Sequence, residues 1–276
     1  MDTDSPLLAG VVARPWQDPP RLEFADDIGG RGEKERAEFV RLQVGLATGK
    51  YPGMERPVNG TEMEEVAYTM RWLELQERES RLRLNAAPDW ARPVAALAGG
   101  WEFRRGFIWR ASTSAAQFLE RGEELLSLAP ITFVRLTQAK AELDRLLESP
   151  LLLRVQSLSL ADNGLDDEDA GRLANCPNLL NIWWLDLSHN PVGETGLRRM
   201  ILGPGVQNLW YLGLHGNDFD PRETFGREGL TITDARLPEI GEALEETYGP
   251  VRWLHHHPEL GPDYPPSPEQ PPPLRI

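Results

Sequence analysis

Apolar and polar positions follow one pattern three times between residues 155 and 219. Five positions match in each copy, and successive copies are twenty-seven residues apart. The copies are Val155, Leu158, Leu160, Asn163 and Leu165; then Ile182, Leu185, Leu187, Asn190 and Val192; then Leu209, Leu212, Leu214, Asn217 and Phe219. A fixed period of this length predicts a repeat architecture in which each unit buries its apolar face against its neighbours.

Each copy predicts a short strand, a turn and a helix. Leu158 and Leu160 alternate with polar residues, as side chains on one face of a strand do. The acidic run at 166–169 follows the turn and precedes Ala170 and Leu173, which predicts a helix N-terminus stabilised by negative charge. A calcium loop starting at Asp162 is rejected, because its sixth position is not glycine and its twelfth is not glutamate.

The form L-x-x-L-x-L-x-x-N-x-L resembles the leucine-rich repeat. That resemblance implies an α/β fold, a short solenoid with parallel strands on the concave side and helices on the convex side. It also implies that Asn163, Asn190 and Asn217 bond backbone groups that the turns leave unpaired.

Atypical units are expected at both ends of the repeat. Val134 and Leu136 stand twenty-four residues before Leu158 and Leu160, with Ala139 in the asparagine position. Residues 106–130 predict a further strand and helix, and residues 234–249 and 250–257 predict a last helix and strand. An insertion at 220–233 breaks the period. The proline-rich residues 259–276 predict an extended tail.

Residues 1–100 predict helices without this period. Pro19 and Pro20 open one helix that ends at Gly29 and Gly30, and Thr61 with Glu64 predicts a capping box. The long helix that follows carries an apolar stripe of Met63, Val66, Met70 and Leu73, and its Glu–Arg pairs at i,i+4 predict a solvated face. The predicted domains are a helical module at 1–58, a helical connector at 59–100, the solenoid at 101–258 and the tail at 259–276.

The first module resembles the repeat-companion domain found at the N-terminus of many bacterial leucine-rich-repeat proteins. The match consists of Asp18, Pro20, Arg21, Leu22, Phe24, Ala25, Asp26 and then Arg36 through Gln43. The chain departs from the family pattern after Asp26, where Asp27-Ile28-Gly29-Gly30 replaces a tryptophan and an apolar helix. The resemblance implies architecture and association with repeats, and it implies no established activity.

Composition narrows the classes of partner. The net charge of −14 opposes binding to a polyanionic nucleic acid. The single cysteine, Cys176, forms no internal disulfide, which fits a reducing cytosol. The N-terminus has no signal-peptide pattern and no segment predicts a membrane span. We therefore expect a cytoplasmic protein with no membrane or nucleic-acid partner and no cofactor.

Three short motifs resemble binding sites for a nucleotide, RNA or a metal ion, and each matches its pattern only weakly. Residues 45–50, GLATGK, lack the first glycine of a phosphate loop, and Tyr51 replaces its serine or threonine. Residues 101–110, WEFRRGFIWR, are interpreted as a capping strand with flanking arginines instead of an RNA site. His255 and His257 could share a metal ion with Glu259, and this metal-protein reading is kept as a remote alternative.

The surface favoured for function is the outward side of the strands. Aligning the repeats forms columns that combine aromatic rings with polar groups, a composition typical of interaction hot spots. The alternative for the tryptophans is structural: Trp183 and Trp210 pack the solenoid edge and Trp184 joins them. We predict a non-enzymatic interaction module or adaptor with no catalytic and no metal-ligating residues. Its predicted contacts with a protein partner that carries a basic patch are Trp184, Asp186, His189, Tyr211, His215, Trp253 and His255. The alternative is a structural or regulatory subunit of a larger bacterial complex, docked through its N-terminal helices.

Overall fold

The computed structural model describes residues 5–58, 60–217, 245–249 and 251 and has an α/β fold. The helices are α1 (Pro6–Ala13), α2 (Pro19–Gly30), α3 (Lys34–Thr48), α4 (Glu62–Asn85), α5 (Ala87–Ala95), α6 (Ala115–Leu128), α7 (Leu143–Glu148), α8 (Asp167–Ala174) and α9 (Glu194–Leu202). The strands are β1 (Gly100–Arg104), β2 (Phe107–Ser114), β3 (Phe133–Thr137), β4 (Ser157–Ser159), β5 (Trp184–Asp186) and β6 (Tyr211–Gly213), joined in that order in one sheet. Short 3₁₀ helices span Lys140–Glu142, Pro150–Arg154, Pro177–Leu179 and Pro204–Val206. The predicted α/β class is confirmed.

The chain divides into two compact units. The first contains the residues up to Ala111 and the segment Glu123–Ile131, and the second contains Ser112–Gly122 and the chain from Thr132 onward. In the described part of the chain, no helix combines the length and apolar character needed to cross a bilayer.

The first unit packs α1, α2 and α3 around the start of β2. Its core includes Leu8, Phe24, Ile28, Val40 and Phe107, all at most 4% exposed. The helix predicted to open at Pro19 and Pro20 and to end at Gly29 and Gly30 is α2, which runs from Pro19 to Gly30 and confirms that prediction.

A tight hairpin, which the sequence analysis did not predict, joins β1 to β2. Its two loop residues, Arg105 and Gly106, both have positive φ (48° and 83°), as hairpin loops of two residues require. Arg105 donates to both carboxylate oxygens of Asp18 at 2.7 Å, and the Gly106 N–H donates to Gln43 Oε1 at 2.7 Å. Asp18 and Gln43, which belong to the two segments that resemble the repeat-companion domain, therefore hold the hairpin in place.

Helix α4 begins at the predicted capping box, in which Thr61 and Glu64 bond each other reciprocally. The prediction of a solvated charged face is wrong in part. Arg78 forms a two-bond ion pair with Glu38 of α3 at 2.8 and 2.9 Å, and Glu79 is 9% exposed and accepts from Gln43. Part of the charged side thus packs on α3.

The second unit stacks parallel strands in the register that the repeat predicts. Val134 pairs with Leu158, Leu158 with Leu185, and Leu185 with Leu212, and all four side chains are buried. Paired residues are thus twenty-seven positions apart along the chain from β4 to β5 and from β5 to β6, and twenty-four apart from β3 to β4.

Three asparagines form a hydrogen-bonded column beside these strands, here called the asparagine ladder (Asn163, Asn190 and Asn217). Each amide group donates to a carbonyl of the preceding unit, at Leu136, Leu160 and Leu187 respectively, over 2.9 to 3.0 Å. Each amide oxygen accepts from a backbone N–H of that unit, at Ala139, Asn163 and Val192 respectively, over 2.6 to 3.2 Å. The ladder therefore pairs turn backbone groups that burial would otherwise leave without partners.

The acidic run at 166–169 begins a helix, as predicted. Asp166 is the N-cap of α8 and forms a capping box with Asp169. Lys140 lies 2.7 Å from Asp166 and 3.1 Å from Asp169. These contacts lower the pKa of Asp166, chiefly through the hydrogen bond from Lys140, and they account for the cluster without a metal ion.

Candidate interaction surface

Two rows of side chains cross the parallel strands on the side opposite the buried leucines. The aromatic row is Phe133, Ser157, Trp184 and Tyr211, and the polar row is Arg135, Ser159, Asp186 and Gly213. Both rows follow from the strand register, because side chains alternate between the two faces of a strand. The register is that of the predicted columns.

Rings of the aromatic row stack on one another. Trp184 and Tyr211 are parallel within 7°, with ring centroids 5.0 Å apart, and Trp184 lies 5.3 Å from Phe133. The small Ser157 between them lets Phe133 reach Trp184 across one strand. Trp184 is only 8% exposed, so Tyr211, which is half-buried, is the ring of this row that offers most surface. Burial, assisted by the charge of Asp186, raises the pKa of the Tyr211 hydroxyl.

Asp186 is held in place within the polar row. Its carboxylate accepts from the Ser159 hydroxyl at 2.9 Å and from the Ser188 N–H at 3.0 Å. A Cβ atom at Gly213 would lie 2.7 Å from Asp186 Oδ1 and 3.2 Å from the Tyr211 ring. The glycine therefore lets the carboxylate and the phenol ring sit close together.

Two exposed histidines continue the surface beyond the strand ends. The rings of His189 and His215 meet edge to face, with centroids 4.8 Å apart. His189 has φ 56°, and it belongs to a column of left-handed residues that precede the ladder positions, with Asp162 at 58° and Gly216 at 71°. A Cβ atom at Gly216 would come within 2.3 Å of the His189 ring, so this glycine makes room for the histidine pair. Asp186, His189, Tyr211 and His215 are here called the sheet patch.

Trp253 and His255, with His257 and Glu259, lie outside the described residues. Among the residues that are described, no group of three or more histidine, cysteine, aspartate or glutamate side chains could hold a metal ion. Cys176 is buried, its thiol bonds the Leu147 carbonyl at 3.2 Å, and burial raises its pKa.

A second surface lies on the first unit, along α4. Met63, Val66, Met70 and Leu73 form its apolar stripe, and each is 52% to 81% exposed. Within α4, the buried residues are Glu79 and Leu82, both in its last two turns. The stripe recurs at i, i+3, i+7 and i+10, the spacing of residues that face a partner helix.

The first unit also contains a cluster of buried arginines and aromatic rings that no sequence motif predicted. Two arginines of the companion-like motifs, Arg21 and Arg36, are 3% and 4% exposed and lie over aromatic rings. Arg36 lies 5.0 Å from the ring centroid of Trp90 and 5.4 Å from those of Phe103 and Phe107. The sequence signal was an arginine at an inward helix position, and only the tertiary structure shows that the rings surround it.

No protein-family model matches the chain, and no curated protein shows significant sequence similarity to it. The two resemblances therefore rest on the motifs themselves.

Proposed function

We propose that this protein is a non-enzymatic protein-interaction module whose second unit is a short leucine-rich-repeat solenoid. The support is the coincidence of three features in one segment: a fixed repeat in the sequence, parallel strands in matching register, and the asparagine ladder. Stacked units of this kind present a continuous sheet surface, which repeat proteins use to hold partners.

The sheet patch is the observation that carries the proposal. It combines a half-buried phenol ring, a fixed carboxylate and two exposed imidazoles on adjacent rows. A surface held by strand pairing and by the ladder loses little conformational freedom when a partner binds. The net charge of −14 favours a partner with a basic patch, chiefly through faster encounter.

The test is partner capture from the native cell with the whole protein, followed by mass spectrometry. A Tyr211→Ala/His215→Ala variant is expected to lose the partners that the wild type retains, and its melting temperature is expected to change little. Glu168→Ala is the matched control, because it removes an exposed side chain from α8 of the same unit. Unchanged capture by the double variant would exclude the sheet patch.

A second candidate function is that of a subunit docked through α4, and the exposed apolar stripe favours it. Such a stripe on three turns of helix without buried residues is stabilised when another protein covers it. Under this proposal Val66→Glu/Met70→Glu abolishes capture. Arg71→Glu is the control and retains capture. It changes the net charge by the same amount, and Arg71 lies on another face of the same helix. Capture that survives the double variant but not the sheet-patch variant would leave the first proposal alone.

A further inference from the structure

A cleft opens between α2, α3 and α5 in the first unit. Its cavity volume is about 80 Å³, which is below the range of drug-sized pockets and limits an occupant to a small molecule. Its apolar walls are Phe24, Ile28, Trp90 and Pro93, and Arg36 lines it together with them. A much smaller cavity of about 10 Å³ is also lined by Arg36, Trp90 and Pro93 and extends to Phe103 and Phe107.

Arg36 brings unused hydrogen-bond donors to this cleft. Its side chain is buried, and its Nε and Nη1 atoms have no hydrogen-bond partner among the described residues. Glu33 is the acid that acts on it, and no ion pair forms between the two within 4.0 Å in the described structure. Burying an unpaired charge costs several kcal/mol, and the three neighbouring rings offset only part of that.

Arg21 is a second buried arginine in the same unit, and its Nε and Nη1 atoms also have no hydrogen-bond partner in the described structure. It lies over Phe107 at 5.3 Å, on the same ring that Arg36 approaches. However, its Nη2 donates to the Pro15 carbonyl, and Asp18 stabilises its charge. Arg21 does not line the cleft. Of these two arginines, Arg36 is therefore the one whose unpartnered nitrogens lie beside the cleft.

The charges around the cleft select the class of anion. Arg31 and Arg36 contribute two positive charges to its lining, and Glu33 and Asp89 contribute two negative charges. Arg31 is paired with Asp27, and Asp89 with Arg92 at 2.7 Å. The near-neutral rim disfavours a multiply charged phosphate, while the flat walls favour a planar apolar group.

We propose that this cleft binds a small organic carboxylate with a flat apolar body, whose carboxylate receives hydrogen bonds from the Arg36 guanidinium. The ring of the ligand would pack against Phe24 and Trp90. This binding activity is independent of the sheet patch and of the α4 stripe, so it stands or falls separately from the proposed function.

The test is calorimetric titration of the whole protein with three probes: benzoate, benzamide and inorganic phosphate. Benzoate is expected to bind saturably. Benzamide, which has the same shape without the charge, is expected to bind at least about tenfold more weakly, as the loss of a charge-assisted hydrogen bond in a buried site predicts. Equal binding of benzamide, tighter binding of phosphate, or no binding of benzoate would each overturn the proposal.

Arg36→Met removes the guanidinium and keeps an apolar chain of similar length. This variant is expected to lose benzoate binding while its thermal stability is retained or raised, since an unpaired buried charge is removed. Arg21→Met is the matched control and is expected to bind benzoate as the wild type does. A purely structural Arg36 predicts the reverse: lower stability, and benzoate binding that survives or never existed.

A rim variant keeps the proposal testable if Arg36→Met does not fold. Glu33 is exposed, and Glu33→Gln removes a negative charge that competes with the ligand carboxylate for the field of Arg36. Benzoate is expected to bind about twofold to threefold more tightly to this variant. Benzamide binding should not change. Weaker benzoate binding to Glu33→Gln would contradict the proposed ligand position.

Discussion

At the scale of single residues, this protein handles buried polar groups in two opposite ways. Asn190 is 2% exposed, and its amide donates to three carbonyls while its oxygen accepts from the N–H groups of Asn163 and Leu165. Arg36 is equally buried but has two nitrogens without partners among the described residues. The asparagine therefore stabilises the fold, while the arginine retains hydrogen-bond donors that the proposed ligand would use.

Asn190→Ala is expected to lower the free energy of unfolding by about 3–5 kcal/mol, because several buried backbone groups lose their partners together. The measurement is urea unfolding of the whole protein. Asn208→Ala is the matched control: it removes one bond, to the Leu180 carbonyl, at an exposed position, and it should cost less than about 1 kcal/mol. Equal losses for the two variants would contradict a special role for the asparagine ladder.

The charge of Arg36 predicts a stability that rises at alkaline pH. Desolvation by burial lowers the pKa of its guanidinium to about 9, and the charge of Glu33 opposes this shift. Above that pKa the unfolded chain holds a proton that the folded chain has released, so the free energy of unfolding increases with pH, and below it the contribution is flat.

Between pH 8 and about one unit above the folded-state pKa, the free energy of unfolding of the wild type is therefore expected to rise by about 1 kcal/mol relative to that of Arg36→Met. Paired urea unfolding at the two pH values measures this difference. Arg92→Met, which removes an exposed arginine of the same unit, should show no such gain. A gain of equal size in both comparisons would assign the effect to groups other than Arg36.

At the scale of elements, the β1–β2 hairpin depends on one close backbone approach. Gly106 has φ 83°, and a Cβ atom there would lie 2.6 Å from the Val40 Cα of α3. A side chain at position 106 would therefore have to displace the backbone of α3, and not merely the flexible end of a neighbouring side chain. The hairpin loop and α3 are thus fitted to each other at a glycine.

Gly106→Ala is expected to lower the free energy of unfolding by about 3 kcal/mol or more, from backbone strain and overlap combined. Gly32→Ala separates the two causes, because Gly32 also has positive φ (97°) but nothing lies near its Cβ position. That control should cost only about 1 kcal/mol. Thermal and urea unfolding of both variants make the comparison, and a similar loss in both would mean that the contact with Val40 is unimportant.

Several elements could be predicted from sequence because their causes are local. The capping box of α4, the acidic run that begins α8 and the prolines that open α2 lie within a few residues of the structure they specify. The β1–β2 hairpin was missed because its loop, Arg105-Gly106, is not one of the strongest turn signals, and its fixing partners Asp18 and Gln43 are distant in sequence. The side of α4 that packs inward was misjudged for the same reason, since Glu38 and Gln43 select it.

At the scale of the whole molecule, the period specifies which side chains share a row, but it does not specify how exposed each one is. The column of Trp184 and Tyr211 was predicted and follows the register, yet Trp184 is nearly covered while Tyr211 is not. The Arg36 cleft depends on three helices whose mutual packing no local pattern encodes. Sequence therefore predicts repeated surfaces better than it predicts assembled cavities.

The acidic charge of the whole chain predicts how a captured partner should bind. With a net charge of −14 and a partner that carries a basic patch, the association rate is expected to fall by at least about tenfold between 50 and 500 mM salt, while dissociation changes much less. Stopped-flow mixing of the whole protein with the purified partner measures both rates. Asp186→Asn should slow association and flatten its salt dependence, whereas Tyr211→Ala should speed dissociation and leave that dependence unchanged. An association rate indifferent to salt would mean that charge does not guide the encounter, and a Tyr211→Ala variant with wild-type dissociation would remove the sheet patch from the interface.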